Sequence, residues 1–328
     1  MQFFSNANFN FIRWRWHAIV LSLVVVLAGV AVMITRGMPL GIEFSGGTQL
    51  VLQFAQPVSE QQVRDAIADF PGDELVQTYG ERAENQILVR LESTGEEQGR
   101  DLEQTSVAIE AALKDAGLPT FEIRSRELVG PTVGADLQRR GTYAMILSLI
   151  AITVYIGFRF RFSFAVGAIA ATLHDVLVTL AFLVFFGYEL SLNVVAAILT
   201  ITGYSVNDTI VIFDRVRENM KSSMRREGLE HVVNRSVNQT LGRTVITAGT
   251  TFLSVLSLYL FGGEALQGFA FTMLIGIVSG TYSTVFIASA IAIILSGSKR
   301  TAGSAPAATK GDTPVRPGGR KQRGARAS

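Results

Sequence analysis

The feature that most constrains this chain is a set of long apolar runs that leave little room for a soluble fold. Of 328 residues, 48% are hydrophobic. The first run, 18–35, carries no charge and is long enough to cross roughly 30 Å of hydrocarbon as a helix. Five more runs lie at 143–158, 162–186, 192–213, 245–261 and 268–295. We therefore predict an α-helical polytopic membrane protein with six transmembrane helices.

The first run has a competing interpretation as a cleaved signal peptide. Its apolar core is longer than the usual one of about 7 to 15 residues. It also ends in Thr35-Arg36-Gly37, without a small-residue cleavage pattern. We therefore predict a short cytoplasmic N-terminus over 1–17 and an uncleaved first transmembrane helix over 18–36.

Charge at the ends of the runs predicts their orientation. Arg159, Arg161 and a basic stretch over 215–243 fall on one side, whereas the connections 187–191 and 262–267 contain no Lys or Arg. Basic loops stay in the cytoplasm, so both termini are predicted to be cytoplasmic, with a cytoplasmic loop at about 214–243 within the helical region 141–296.

The tail, 297–328, is rich in Gly, Ala, Pro and basic residues and lacks apolar periodicity. We predict that it is disordered and cytoplasmic. Attraction to anionic lipid is favoured over a specific binding role.

Residues 41–140 have the pattern of a separate α+β domain. Strand patterns at 48–54, 75–79, 86–92 and 121–127 alternate with two amphipathic helices, one of which Ser59 can cap with Gln62 at its third position. The order βαββαβ is that of a ferredoxin-like domain. It lies between the first two predicted transmembrane helices, so it is predicted to be extracytoplasmic. The glycine-rich segment 41–47 before it is interpreted as a flexible junction.

The stretch GYSVNDTIVIFDRVREN, 203–219, places Asn207 and Asp208 inside an apolar run. A carboxylate in such a run costs several kcal/mol unless it is partnered, which makes Asp208 a candidate functional residue. The fifth run presents a polar stripe that begins with Arg243 at a similar depth; its other members are Thr247, Thr250, Thr251 and Ser254. The two charges could form a static salt bridge, or a switch in which protonation of Asp208 releases Arg243.

His174 and Asp175 lie about twelve residues into the third run, near the middle of the membrane. A purely structural interhelical bond and a role in a proton path remain equally open for this pair. In the sixth run Thr272, Gly276, Gly280 and Thr284 form a small-xxx-small edge, for which helix packing is the favoured role.

The sequence contains no nucleophile elbow, metal-ligand cluster, phosphate-binding glycine loop or dinucleotide fingerprint, and it has no cysteine. We therefore expect no enzymatic activity, no cofactor and no metal.

Several motifs together resemble those of SecF, the smaller membrane subunit of the bacterial SecD–SecF complex of the resistance-nodulation-division superfamily. They are GIEFSGGTQL, the His174-Asp175 pair, GYSVNDTIVIFDRVREN, QTLGRTVITAGTT, LYLFGG and LIGIVSGTYST. Glu43 stands where the family usually has Asp, so the charge is kept.

The resemblance implies a subunit of the bacterial inner membrane that pairs with SecD. It would act beside the SecYEG channel, with YajC as a further associate, and use the proton-motive force to promote translocation of preproteins. In that picture Asp208 and Arg243 match the family's proton-path carboxylate and arginine, and His174 and Asp175 match a characteristic pair of the family. Together with Asn207, these are our candidate proton-path and coupling residues. A small-molecule or lipid exporter of the same superfamily and a passive assembly scaffold are the alternatives. The short connection 187–191 argues against the exporter.

Overall fold

The computed structural model describes residues 8–80, 84–92 and 99–301. Within them, six helices are long and apolar enough to cross a membrane, which confirms the predicted number: Ile12–Thr35, Pro131–Arg159, Phe162–Phe186, Leu192–Ser222, Leu229–Phe261 and Glu264–Ser296. The chain is therefore a multi-pass membrane protein. Most of the predicted tail, 302–328, and residues 1–7 lie outside the described part.

Seven α-helices in the described ranges make up these six spans. They are α1 (Arg15–Arg36), α5 (Pro131–Arg159), α6 (Phe162–Phe186), α7 (Leu192–Glu227), α8 (Leu229–Phe261), α9 (Glu264–Ser283) and α10 (Ser289–Thr301). Helix α5 starts with Pro131 at its first position, α6 ends at left-handed Gly187, and Ser191 accepts a hydrogen bond from the Val194 amide at the start of α7.

The region expected to be a loop at about 214–243 is a helical hairpin. Helix α7 continues to Glu227, and α8 begins at Leu229 after the single residue Gly228, whose φ is 73°. The two helices are held together by hydrogen bonds from Asn219 Nδ2 to Ser236 Oγ and to Gln239 Oε1, both 2.8 Å. These contacts join residues that are distant in sequence and stabilise helical structure in a segment whose charged residues alone suggested a solvated loop.

A four-stranded antiparallel sheet lies between α1 and α5 in the chain. Its elements are β1 (Gly47–Phe54), α3 (Glu60–Ile67), β2 (Glu74–Tyr79), β3 (Gln86–Glu92), α4 (Gly99–Asp115) and β4 (Phe121–Val129). The strand order is β2-β3-β1-β4. The predicted capping box between Ser59 and Gln62 is confirmed, and Val63 and Ile67 of α3 are fully buried in the core.

The interpretation of residues 41–47 as a flexible junction is wrong. Residues Ile42–Ser45 form a short helix, α2, whose Ile42 and Phe44 side chains are buried. It packs against the start of α5 so closely that a Cβ on Gly134 would lie 3.3 Å from the Phe44 carbonyl oxygen. Tertiary packing thus fixes a segment whose glycines, taken alone, permit many conformations.

The small-xxx-small edge of α9 is confirmed as an internal packing surface. A Cβ on Gly276 would collide with Ile201 of α7, and one on Gly280 would lie 3.0 Å from the Ser205 Cβ. Just beyond α9, a π-helical turn at Thr284–Ala288 brings the Thr284 hydroxyl within 2.9 Å of the Thr209 hydroxyl. The irregular turn therefore lies at a direct side-chain contact with α7.

Candidate functional site

Asp175 is the centre of a buried polar cluster that joins three helices. Its side chain is only 1% exposed. Ser205 Oγ of α7 donates to one carboxylate oxygen at 2.6 Å. Ser283 Oγ, at the end of α9, donates to the same oxygen at 2.8 Å. Ser279 Oγ donates to the other oxygen at 2.7 Å. The serines supply the hydrogen bonds that a carboxylate needs when it is removed from water.

His174 completes this cluster from its edge. Its Nδ1 lies 3.1 Å from an oxygen of Asp175, and its side chain is 10% exposed. The ring also borders an apolar cavity of about 340 Å³ between α1, α6 and α9. The Nε2 atom is buried and has no hydrogen-bond partner in the described part of the chain. The predicted pair is thus in contact, although the serines rather than His174 provide most of the partners of Asp175.

The sequence prediction missed all three serines. Ser279 and Ser283 are spaced i, i+4 on the sixth run, and Ser205 lies inside the 203–219 motif. This spacing on one helix face is a signal that could have identified two of them, since residues four apart lie on the same side of a helix. Nothing in the sequence indicates that Asp175 is the residue they meet.

Asp208 lies on α7 and has one satisfied oxygen and one free oxygen. Thr244 Oγ1 of α8 donates to Oδ1 at 2.8 Å. The other oxygen, Oδ2, is buried and has no hydrogen-bond partner among the described residues. A buried acceptor without a partner costs about 1–3 kcal/mol, more when it is charged, so this oxygen favours binding a proton or a donor from elsewhere.

Arg243 does not form the ion pair with Asp208 that the sequence suggested. The guanidinium is near enough to attract the carboxylate electrostatically, but no ion pair within 4 Å joins Arg243 to any described carboxylate. Thr244, the next residue along α8, makes the direct contact instead. One residue along an α-helix is a turn of about 100°, and this rotation decides which side chain faces α7.

Several other polar side chains of α7 and α8 are exposed on the surface of the bundle. Asn207 of α7 is exposed, as are Arg243, Thr247 and Ser254 of α8. We call these four residues the polar edge. The Ser254 hydroxyl donates to a carbonyl of its own helix at 3.0 Å, whereas Asn207 and Arg243 have no hydrogen-bond partner among the described residues. A polar edge in a membrane-spanning helix requires a polar partner, because hydrocarbon supplies no hydrogen bonds.

A second polar cluster fastens the sheet to the connection between α6 and α7, and we call it the sheet joint. Arg90 of β3 is 4% exposed and donates to Gln49 Oε1, to the Leu40 carbonyl at 3.0 Å and to Glu189 Oε2 at 2.5 Å. Beside it the backbones pair, with Gly41 N–H donating to the Leu190 carbonyl at 2.8 Å. The joint connects the sheet with the ends of both helices that carry the buried carboxylates.

The sheet also touches the start of α9. Gly80, directly after β2, lies so close to Glu264 that a Cβ on it would collide with the Glu264 Oε1 atom. Burial, together with the negative charge of Glu264, raises the pKa of the neighbouring Tyr79 phenol to about 12, so the phenol stays protonated. Two connections between membrane-spanning helices therefore hold the sheet.

No group of three or more His, Asp or Glu residues in the described ranges is arranged to hold a metal ion. In the described membrane-spanning segments, the carboxylates can bind protons and the hydroxyl groups can form hydrogen bonds.

Comparison with known proteins identifies related sequences along most of the chain. Residues 108–298 match the family model for the protein export membrane protein SecD/SecF, C-terminal, and residues 31–58 match that for the SecD/SecF GG motif. A protein translocase subunit SecF from Desulfurispirillum indicum is 40% identical over 86% of this chain and 90% of its own length. One from Escherichia coli O157:H7 is 38% identical over 89% of each chain.

Two solved structures share the fold. The crystal structure of SecDF, a translocon-associated membrane protein from Thermus thermophilus, superposes with a TM-score of 0.77 at 33% identity and covers 89% of this chain. A structure of SecDF in a super-membrane-facing form gives a TM-score of 0.67 at 32% identity over 92% of this chain. This chain spans only 39% and 40% of those two chains.

Proposed function

The chain belongs to the SecD/SecF family of protein export membrane proteins, and we propose that it is the SecF-type subunit of a SecDF complex that uses the proton-motive force to promote preprotein translocation through SecYEG. The observation that carries the proposal is Asp208, a carboxylate inside a membrane-spanning helix with one buried oxygen left without a partner. Such a group is poised to exchange a proton.

The partner in this proposal is a SecD chain that covers the polar edge. The solved SecDF chains are about two and a half times as long as the matched part, which is consistent with a second, SecD-type half supplied here by a separate chain. The edge presents a cation, Arg243, and an amide, Asn207, so the facing surface would offer carboxylate or carbonyl groups. SecYEG, YajC and the preprotein complete the assembly that the family membership suggests.

The orientation follows from the distribution of charge. We assign the sheet to a ferredoxin-like domain on the outer side of the inner membrane, a proposal supported by the order βαββαβ and the strand order β2-β3-β1-β4. Both termini and the α7–α8 hairpin then lie in the cytoplasm, where basic residues accumulate.

Proton binding at Asp208 changes the interactions of α7 with Thr244 and Arg243 of α8. The ionised carboxylate accepts from Thr244 and attracts Arg243. Once Oδ2 carries a proton it becomes a donor, and the attraction for Arg243 is lost. In this proposal Arg243 then turns to a carboxylate or carbonyl group on the facing SecD surface. The exchange of one proton therefore alternates α8 between two sets of contacts.

In this proposal the sheet joint couples the change at α7 and α8 to the sheet domain. Helix α7 starts at Leu192, two residues after Leu190, whose carbonyl oxygen accepts from Gly41 at the base of the sheet. Arg90 locks the same connection through Glu189. A tilt of α7 relative to α6 would thus move the outer domain as a body, because its attachment is made by backbone pairing and a buried ion pair.

The proposal is tested with Asp208→Asn in membrane vesicles that contain the SecD partner and the channel. Asparagine keeps the shape and the Thr244 hydrogen bond but cannot exchange a proton. We expect the complex to assemble while the stimulation of preprotein translocation by the proton-motive force is lost. Asp65→Asn makes the same substitution on α3, where the carboxylate only accepts from Gln61, and as the matched control it should retain the stimulation. Full stimulation with Asp208→Asn as the only copy contradicts the mechanism.

A further inference from the structure

A small cavity lies at the end of the bundle opposite to the sheet joint. It has a volume of about 240 Å³ and opens where α5 ends, α6 begins and α7 passes by. We call it the basic pocket; its walls are formed by Phe160, Arg161, Phe164, Phe213, Arg217, Met220 and Lys221. Helix α6 has 25 residues, so the pocket lies roughly 37 Å from the sheet joint, at the opposite membrane surface.

Unlike two neighbouring arginines, the cations of the basic pocket have no acidic partner in the part of the chain that the structure describes. Arg159 makes two hydrogen bonds to Asp214, at 2.7 and 2.8 Å, and Arg215 pairs with Glu218 at 2.6 Å. By contrast, the three basic residues of the pocket form no ion pair with any carboxylate in the described ranges. The three cations that line the cavity are therefore left without a compensating acid among the described residues.

The floor of the pocket is apolar and well packed. Phe213 is 1% exposed and makes edge-to-face contacts with Phe160 and Phe164, whose ring centroids lie 5.9 and 5.1 Å away. Met220 lies beside them. A small hydrated anion gains nothing from such a floor, whereas an acyl chain buries its methylene groups against it. The apolar floor and the three cations together favour a ligand that has an acyl chain and an anionic group.

The start of α6 adds further attraction for an anion. Arg161 is its N-cap and provides no side-chain hydrogen bond to the first turn. The open end of the helix carries partial positive charge, which favours a phosphate nearby. Arg161, the N-cap of α6, is itself one of the residues that line the cavity, so this charge lies beside the cavity.

We propose that the basic pocket binds one acidic phospholipid from the cytoplasmic leaflet. The phosphate is held by Arg161, Arg217 and Lys221, and the upper part of one acyl chain lies against Phe164 and Met220. The lipid bridges α5, α6 and α7, and so braces the helices that carry the buried carboxylates. This assignment does not depend on the proposed role in export.

The test is a titration of the delipidated full chain in detergent with phosphatidylglycerol, followed by native mass spectrometry. We expect a first lipid to bind more tightly than phosphatidylcholine of the same chain length. Each basic side chain near the surface favours an anionic lipid by about fivefold, equal to about 1 kcal/mol. The variant Arg161→Gln/Arg217→Gln/Lys221→Gln should therefore weaken this first binding step at least about tenfold, while leaving phosphatidylcholine binding unchanged.

Two control variants separate a built site from general attraction. The variant Arg320→Gln/Lys321→Gln/Arg323→Gln removes the same number of charges from the tail and should keep the preference for phosphatidylglycerol. Met220→Trp keeps all the charges but fills the floor of the pocket, and it should weaken binding of the long-chain lipid more than that of a short-chain analogue.

Three outcomes would overturn the proposal. The pocket variant could retain the preference for phosphatidylglycerol, or the tail variant could lose it to the same extent, which would show attraction without a site. Inorganic phosphate at millimolar concentration could displace the lipid, which would assign the three cations to a free anion. Retention of the preference in the tail variant together with its loss in the pocket variant supports the phospholipid.

Discussion

Replacement of Arg90 by methionine should open the sheet joint without unfolding the sheet. Methionine keeps most of the aliphatic stem that packs in the joint and removes only the guanidinium. The lost donors serve Gln49 Oε1, the Leu40 carbonyl and Glu189 Oε2. Each of these acceptors is then left to find water or remain unpaired.

The magnitude follows from the burial of these groups. Removal of one member of a buried ion pair costs about 3–5 kcal/mol. The Glu189 side chain is 23% exposed, so water reaches it after Arg90 is gone and the lower end of this range, about 3 kcal/mol, applies. Since 1.4 kcal/mol is a factor of ten in an equilibrium constant, the joint should open about 100 times more often.

Amide hydrogen exchange measures this opening directly. The Gly41 N–H donates to the Leu190 carbonyl and the Leu190 N–H donates to the Pro39 carbonyl, both at 2.8 Å, so these two amides report on the joint alone. Both should exchange about 100-fold faster in Arg90→Met, and amides in the middle of β1 should not change.

Arg124→Met is the matched control. Arg124 also donates to a glutamine, Gln53, but at an exposed position on β4. Its replacement should leave the exchange of Gly41 and Leu190 unaltered. Unchanged protection of those amides in Arg90→Met would refute the reasoning, because it would show that the backbone pairing holds the joint without the guanidinium.

Two further predictions concern the buried carboxylate and the sheet. Ser279→Ala combined with Ser283→Ala removes two donors to Asp175 and should lower the free energy of unfolding by at least about 3 kcal/mol, measured by thermal unfolding, whereas Ser254→Ala should have little effect. The side chain and the backbone N–H of Thr78 donate to Glu60 and hold the pKa of that carboxyl below its usual range. The resulting stabilisation of the fold is present above the ordinary carboxyl pKa and is lost as the pH falls through the lowered value. Glu60→Gln should abolish this acid dependence in a pH series of sheet unfolding; the same dependence in the variant would contradict the assignment.

The membrane-spanning runs and the capping box at Ser59 could be predicted because they depend on residues that are close in sequence. An apolar run of about twenty residues specifies a spanning helix whatever surrounds it. The cost of a carboxylate in such a run also identified Asp175 and Asp208 before any contact was known. Even the packing role of the Gly276 edge followed from spacing on one helix.

The partners of these carboxylates could not be predicted in the same way. Arg243 was the expected neighbour of Asp208, yet Thr244 makes the contact, because the rotation of α8 is set by packing along its whole length. For Asp175 the charge suggested His174, whereas serines from α7 and α9 supply three of its four polar contacts.

The sequence by itself determined which segments enter the membrane, where the sheet domain falls and which two carboxylates are costly to bury. Only the tertiary structure decided that Arg90 ties the sheet to Glu189, that α2 packs against α5, and that the cations of the basic pocket have no acidic partner among the described residues. The physical reason for this difference is the distance along the chain over which each kind of interaction acts. Hydropathy and capping act within a few turns of one element, whereas hydrogen bonds and ion pairs between elements depend on how each helix is rotated against its neighbours.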